Sequence, residues 1–164
     1  YEPPPVYEPP PVYEPPPVYE PPPVCSGYGV LGPNGRCYAT LATPLTWSAA
    51  AERCLALGAG WQLASIHSHE ENRFLTGLLD SESWLGACDG NAEGTWIWID
   101  DGTVFWNGDQ TGSPSDGAFA NWASTQPNGG GDADCARLVP GSSGVWADLR
   151  CDELRSAICA GPGG

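Results

Sequence analysis

NWASTQPNGGGDADCARLVPGSSGVWADLRCDELRSAIC, Asn121 to Cys159, carries the polar residues that decide how this chain is read. Gln126 and Asn128 flank Pro127, and each offers a neutral side-chain carbonyl oxygen. A cis bond before Pro127, which only proline makes cheap, would let both oxygens converge on one point. Asp132, Asp134 and Asp148 add carboxylates to an oxygen-only donor set of the kind calcium prefers. Gln126, Asn128, Asp132, Asp134 and Asp148 are therefore the candidate metal ligands. Gln126, Pro127, Asn128 and Asp148, with Trp122 and Trp146 beside them, are the candidate ligand-binding residues. No nucleophile with a base stands in the stretch, and its three cysteines suggest a binding surface stapled by disulfides.

Working outward, the chain has 164 residues, enough for one globular domain and an appendage. Lysine is absent, and a net charge of −14 argues against a nucleic-acid or anionic-membrane partner, because phosphate recognition needs clustered cations. Seven cysteines point to an oxidising, extracellular or cell-surface setting, and no two form a C-x-x-C pair. No apolar run approaches the ~20 residues that a membrane span needs. The sequence opens inside a repeat and has no methionine, so a processed product or a fragment is expected. G-x-S-x-G and Cys–His signatures are missing, and no enzymatic activity is expected.

Residues 1–24 are four unbroken copies of Tyr-Glu-Pro-Pro-Pro-Val. Proline at every second position on average excludes helix and sheet interiors and leaves polyproline II. With three residues per turn, a six-residue repeat sets Tyr1, Tyr7, Tyr13 and Tyr19 along one edge of a rod roughly 75 Å long. Such a rod reads either as a stiff spacer or as a fibre segment. The repeat resembles those of plant and algal proline-rich and hydroxyproline-rich wall proteins. That resemblance implies hydroxylation and O-glycosylation among Pro3, Pro4, Pro5, Pro9, Pro10, Pro11, Pro15, Pro16, Pro17, Pro21, Pro22 and Pro23.

Pro33-Asn34-Gly35 marks a turn between short strands. Thr46 is a good N-cap for a helix burying Trp47, Ala50, Ala51, Cys54 and Leu55, which glycines at 58 and 60 stop. Residues 61–66 alternate like a half-buried strand. Ser68 and Glu71 form the capping box of a second helix with Phe74, Leu75, Leu78 and Leu79 inward. His67 and His69 at its start lack a third ligand nearby and read as a solvated loop. Trp96, Trp98 and Trp106 flank the Asp100-Asp101-Gly102 turn of a hairpin. Asp100 and Asp101 read as turn formers whose adjacent side chains point apart. Residues 107–131 have few aliphatics, so their order must come from Phe119, Trp122, disulfides or an ion.

Trp84-Leu85-Gly86-Ala87, Glu93-Gly94-Thr95-Trp96-Ile97-Trp98, Gln126-Pro127-Asn128 and Trp146-Ala147-Asp148 together resemble the signature of the C-type lectin-like domain, over about residues 25–159. The resemblance implies an α+β fold of two helices, short antiparallel strands and long disulfide-braced loops for residues 25–164, behind a polyproline II stalk at 1–24. It also implies the pairs Cys25–Cys37, Cys54–Cys159 and Cys135–Cys151. Cys88 is left over, as a buried free thiol or an interchain link. In the family, calcium at the Gln/Glu-Pro-Asn/Asp loop is coordinated by sugar hydroxyls. Here Ala133 and Ala147 stand where two further ligands are expected, so the fold is expected to hold without calcium. The combined expectation is an extracellular structural or adhesive protein, its partners other copies of itself along the proline rod or glycans. The alternative is a calcium-dependent lectin of galactose or mannose type.

Overall fold

The computed structural model describes residues 2, 24, 25, 27, 29–141 and 143–163. The stalk, with its tyrosine edge and candidate modified prolines, falls outside the described residues apart from Glu2 and Val24. In chain order the elements are β1 (Val30–Leu31), β2 (Cys37–Leu45), α1 (Trp47–Leu55), β3 (Gln62–Leu63), α2 (His69–Leu78), β4 (Ser83–Cys88) and β5 (Thr95–Trp98). There follow β6 (Val104–Asn107), β7 (Ser113–Pro114), a 3-10 turn (Gly130–Asp132), β8 (Cys135–Val139), β9 (Val145–Leu149) and β10 (Arg155–Gly161). This is the C-type lectin-like fold. No helix among the described residues is long and apolar enough to cross a membrane.

The first long strand and the last one close the domain. β2 and β10 run antiparallel with Cys37 opposite Gly161 and Thr40 opposite Ile158. β10 also pairs antiparallel with β3 and parallel with β4. β4 then carries β5, β6 and β7 on one side and β8 with β9 on the other. Cys25–Cys37, Cys54–Cys159 and Cys135–Cys151 are disulfides, and Cys88 is a free thiol.

Helix starts follow local chemistry. Thr46 accepts a hydrogen bond from the Ala49 N–H, and Ser68 accepts one from the Glu71 N–H. The second half of the expected capping box is not made. Glu71 is buried, and its Oε1 takes the Tyr38 hydroxyl and the Asn34 amide, which leaves Oε2 to the His67 N–H, one residue earlier than Ser68. Burial and this carboxylate push the Tyr38 hydroxyl pKa upward. Leu55, expected inside, is exposed, because Ala50 and Cys54 fill the contact between α1 and the sheet.

Residues 61–66 also depart from the alternating reading. Only Gln62–Leu63 is strand, and Leu63, Ala64, Ser65 and Ile66 are all buried. Two neighbours cover the segment: Ala64 donates to the Ile158 carbonyl, and Gly86 donates to the Ala64 carbonyl. The approach is close enough that a Cβ on Gly86 would lie 2.5 Å from the Leu63 oxygen, so only glycine fits there.

The eight tryptophans look like a surplus for so small a core, yet Trp84, Trp96, Trp98 and Trp146 are fully buried. They replace the missing aliphatics, with Trp98 stacked on Phe105 at 4.3 Å and edge-on to Trp146 at 5.5 Å. Phe119 and Trp122 pack against this cluster and give residues 107–131 their order.

Cys54 and Cys159 are wholly buried and enclose a loop with a sequence separation of 105. Replacing both by alanine is expected to lower unfolding stability by about 4–5 kcal/mol in the chain-entropy account. Denaturant titration against the native chain measures the difference.

Candidate functional site

Residues 121–123 zip onto the start of β9. Trp146 N–H donates to the Asn121 carbonyl, and Ala123 N–H donates to the Trp146 carbonyl. From there the chain turns through a cis Gln126–Pro127 bond into the glycine run. The Asn128 N–H donates to Asp148 Oδ2 at 2.8 Å and the Gly129 N–H to the same oxygen at 2.6 Å. The Asp148 N–H in turn donates to Gln126 Oε1 at 3.1 Å. A Cβ on Gly129 would lie 2.0 Å from the Ala133 Cβ, so glycine there and a small residue at 133 let the loop fold back on itself.

This pattern decides what the expected metal ligands do. Gln126 and Asp148 spend oxygens on the loop's own backbone, and Asp148 is buried. Asp132 is exposed on the 3-10 turn. Among Gln126, Asn128, Asp132, Asp134 and Asp148, two residues, Asn128 and Asp148, line one cleft beside the loop, while Asp134 is half-buried and Asp132 is exposed. Trp122 and Trp146 take part in the aromatic packing. Trp146 is buried and donates its Nε1–H to Asn72 Oδ1, while Trp122 is half-buried and packs edge-on to Trp96 at 4.8 Å. Trp146 therefore offers no open ring face to a sugar.

Instead, a cleft of about 600 Å³ opens beside the loop. One wall is the β4–β5 turn with Asp89 and Glu93, another is the β6–β7 turn with Asp109 and Gln110, and the third is Pro127, Asn128 and Gly130. Asp148 and Trp96 complete the lining, which contains four carboxylates and no basic group. Such a cleft repels anions and suits cations or neutral, hydroxyl-rich ligands.

Asp89 is its most constrained member. The residue is 3% exposed, its Oδ2 accepts from the Gly94 N–H at 2.9 Å, and its Oδ1 has no partner. Asp134 likewise has a buried, unpartnered Oδ1. The Asp89 N–H donates to the Asp134 carbonyl, which holds the two residues side by side. Burial, and then the charges of Glu93 and Asp134, raise the Asp89 carboxyl from its usual 3.8 to about 6, against the lowering effect of the Gly94 bond. Cys88 next to it is half-buried; burial and then Asp89 push its thiol upward, so it is a poor thiolate.

Asp89, Glu93 and Asp109 escape a reading of the sequence. Glu93 lies inside the Glu-Gly-Thr-Trp turn, where the glycine and tryptophan account for the pattern. Asp89 meets Asp134 only because β4 pairs with β8, a contact between residues distant in the sequence.

A second departure lies at the β5–β6 turn. His67, Asp100 and Asp101 offer ligand atoms that all lie within 4.8 Å of one another. The adjacent aspartates thus do not point apart, and His67 has the companions that its local sequence lacks. Asp101 still serves the turn, accepting from the Thr103 N–H at 2.8 Å, and this bond holds its carboxyl below the usual range, with the His67 charge adding to the effect.

A family model described as the lectin C-type domain matches residues 43–161. The C-type lectin domain family 4 member M protein of Symphalangus syndactylus is 36% identical over 132 residues, 78% of this chain and 28% of that protein. The chain thus spans under a third of that relative's length. Among solved structures, a calcium-independent type II antifreeze protein is similar with a TM-score of 0.72 and 30% identity, covering 86% of this chain and 96% of that one. The cow carbohydrate-recognition domain of CD23, solved in the presence of a GlcNAc2Man3 oligosaccharide, has a TM-score of 0.70 and 28% identity over 87% of this chain and 98% of its own.

The raised Asp89 carboxyl has a signed consequence. Between about pH 4 and 6 the unfolded chain releases this proton while the folded chain retains it, so this group's contribution to stability falls as pH rises through that window and is level above it. A shift of this size corresponds to about 3 kcal/mol. In metal-free buffer the stability gained by Asp89→Asn over the native chain is expected to grow from pH 4 to pH 6.5, as read by paired denaturant titrations.

Proposed function

Because the chain belongs to the C-type lectin domain family, we propose that it is an extracellular adhesive protein, a lectin-like head carried on the (Tyr-Glu-Pro-Pro-Pro-Val)4 stalk. The observation that carries this reading is covalent. Cys25, the first residue after the repeats, is bonded to Cys37, the first residue of β2. Cys37 is wholly buried and sits opposite both Leu31 and Gly161. Tension on the stalk therefore enters the central strand pair through a disulfide instead of peeling the weak two-residue β1 from its edge.

Stalk and head suit one another as ligand and receptor. A polyproline segment loses little conformational entropy on docking, and its regularly spaced tyrosines and hydroxylated, glycosylated prolines offer the neutral, hydroxyl-rich chemistry that an acidic cleft accepts. A head that grips the stalk of the next molecule makes a heterologous contact that does not close, and such contacts propagate as filaments. Sedimentation and electron microscopy of the native chain test this. Concentration-dependent filaments that an excess of free, glycosylated (Tyr-Glu-Pro-Pro-Pro-Val)4 peptide dissolves are the expected outcome. A chain that stays monomeric at millimolar concentration and ignores the peptide removes the reading.

The unpartnered Asp89 Oδ1 and Asp134 Oδ1 favour a second reading, in which Asp89, Glu93 and Asp134 hold calcium and the head binds glycans through it. The ion would supply charge to the buried oxygens and open coordination positions to hydroxyl groups. Calcium is then expected to raise the melting temperature of the native chain at pH 7 and to leave that of Asp89→Asn unchanged, as followed by scanning calorimetry. Equal behaviour of the two proteins rules this site out.

A further inference from the structure

We infer that His67, Asp100 and Asp101 form a second binding site, for a divalent transition-metal ion of which Zn2+ is the type. It is separate from the acidic cleft, sharing no residue with it, and does not rest on the calcium reading.

Geometry comes first. One ring nitrogen and one oxygen from each carboxylate already lie within 4.8 Å of one another. Tetrahedral bonds of about 2.0–2.2 Å set ligand atoms roughly 3.4 Å apart, so turns of the two exposed side chains, His67 and Asp101, by about 1 Å close the set. The three residues come from two segments, the approach to α2 and the β5–β6 turn, so an ion there would brace one against the other.

A second, independent observation concerns Asp100. Its Oδ2 is engaged by the Ser65 hydroxyl and lies 3.6 Å from the Arg36 guanidinium, whereas its Oδ1 is buried and has no hydrogen-bond partner. An unpartnered carboxylate oxygen away from water is costly, and a cation offsets that cost.

Each ligand is also held from outside the set, which is how metal-binding side chains are oriented. Ser65, itself buried, accepts from Arg36 at 3.0 Å and donates to Asp100. The Thr103 N–H fixes Asp101 at 2.8 Å. His67 has its backbone N–H on Glu71 Oε2 at 2.7 Å and its ring edge-on to Trp98 at 5.9 Å.

Donor chemistry selects the ion. An imidazole with two carboxylates suits zinc and its neighbours, whereas calcium takes six to eight oxygens and gains little from a nitrogen. Arg36 offsets one of the two negative charges, which keeps the affinity moderate. Because His67 and Asp101 are exposed, the remaining coordination positions are open to water or to a donor from another molecule.

Isothermal titration of Zn2+ into the intact chain tests the site, with His67→Ala, Asp101→Asn and His69→Ala compared after each variant is shown to melt like the native protein. One ion per chain is expected, unaffected by millimolar calcium. Binding should weaken at least about tenfold in His67→Ala and in Asp101→Asn and stay unchanged in His69→Ala. Imidazole nitrogen resonances should shift at His67 and not at His69. Absence of saturable binding, binding that survives both ligand variants, loss of binding in His69→Ala, or displacement by calcium each overturns the proposal. Failure here leaves the stalk–head reading intact, since filament formation is measured without zinc.

Discussion

Everything in this domain hangs on the pairing of β2 with β10. It brings the first long strand and the last strand into one register, and the buried Cys54–Cys159 bond ties α1 to β10. β10 then serves as the partner of β3 and β4 as well, so a single seven-residue strand links both core clusters. Non-local pairing of this kind has a large closure entropy. The cross-link removes part of that cost from the unfolded state, and Trp-rich packing supplies the rest from few side chains.

Once that frame is closed, the long loops need no secondary structure of their own. Residues 121–123 borrow hydrogen bonds from β9, and Asp148 satisfies two backbone N–H groups of the Gln-Pro-Asn loop. Both bonds fall on the same oxygen, Asp148 Oδ2. Ala133, packed against Gly129, belongs to the same economy of space.

Charge is distributed in a corresponding way. Among the acids with an unsatisfied oxygen, Asp89 lines the cleft, Asp134 is held beside it, and Asp100 lies at the β5–β6 turn. Each is buried on one oxygen and hydrogen-bonded or crowded on the other. With fourteen more acidic than basic residues, the chain has few cations of its own to place beside them. Arg36 reaches Asp100, while no basic residue lines the cleft.

How much of this was legible beforehand divides along a physical line. Motif residues with a local job, Thr46 and Ser68 as caps, the Pro33–Gly35 turn, the Asp100–Gly102 turn and the spacing of the tryptophans, announce their elements because the governing interactions span only a few residues. The fold itself came from the resemblance of the Trp84–Ala87, Glu93–Trp98, Gln126–Asn128 and Trp146–Asp148 motifs to the C-type lectin-like domain, and the number of cysteines pointed to an oxidising setting. What the chain alone left undecided was where each polar side chain points. Glu71 abandoned its capping partner because Tyr38, thirty-three residues away, claimed its carboxylate. Gln126 and Asp148 turned inward because backbone donors met them across the loop, and His67 acquired two aspartates because the hairpin folds over the start of α2. Such outcomes depend on which distant donors arrive within about 3 Å, and only the closed tertiary structure sets those distances.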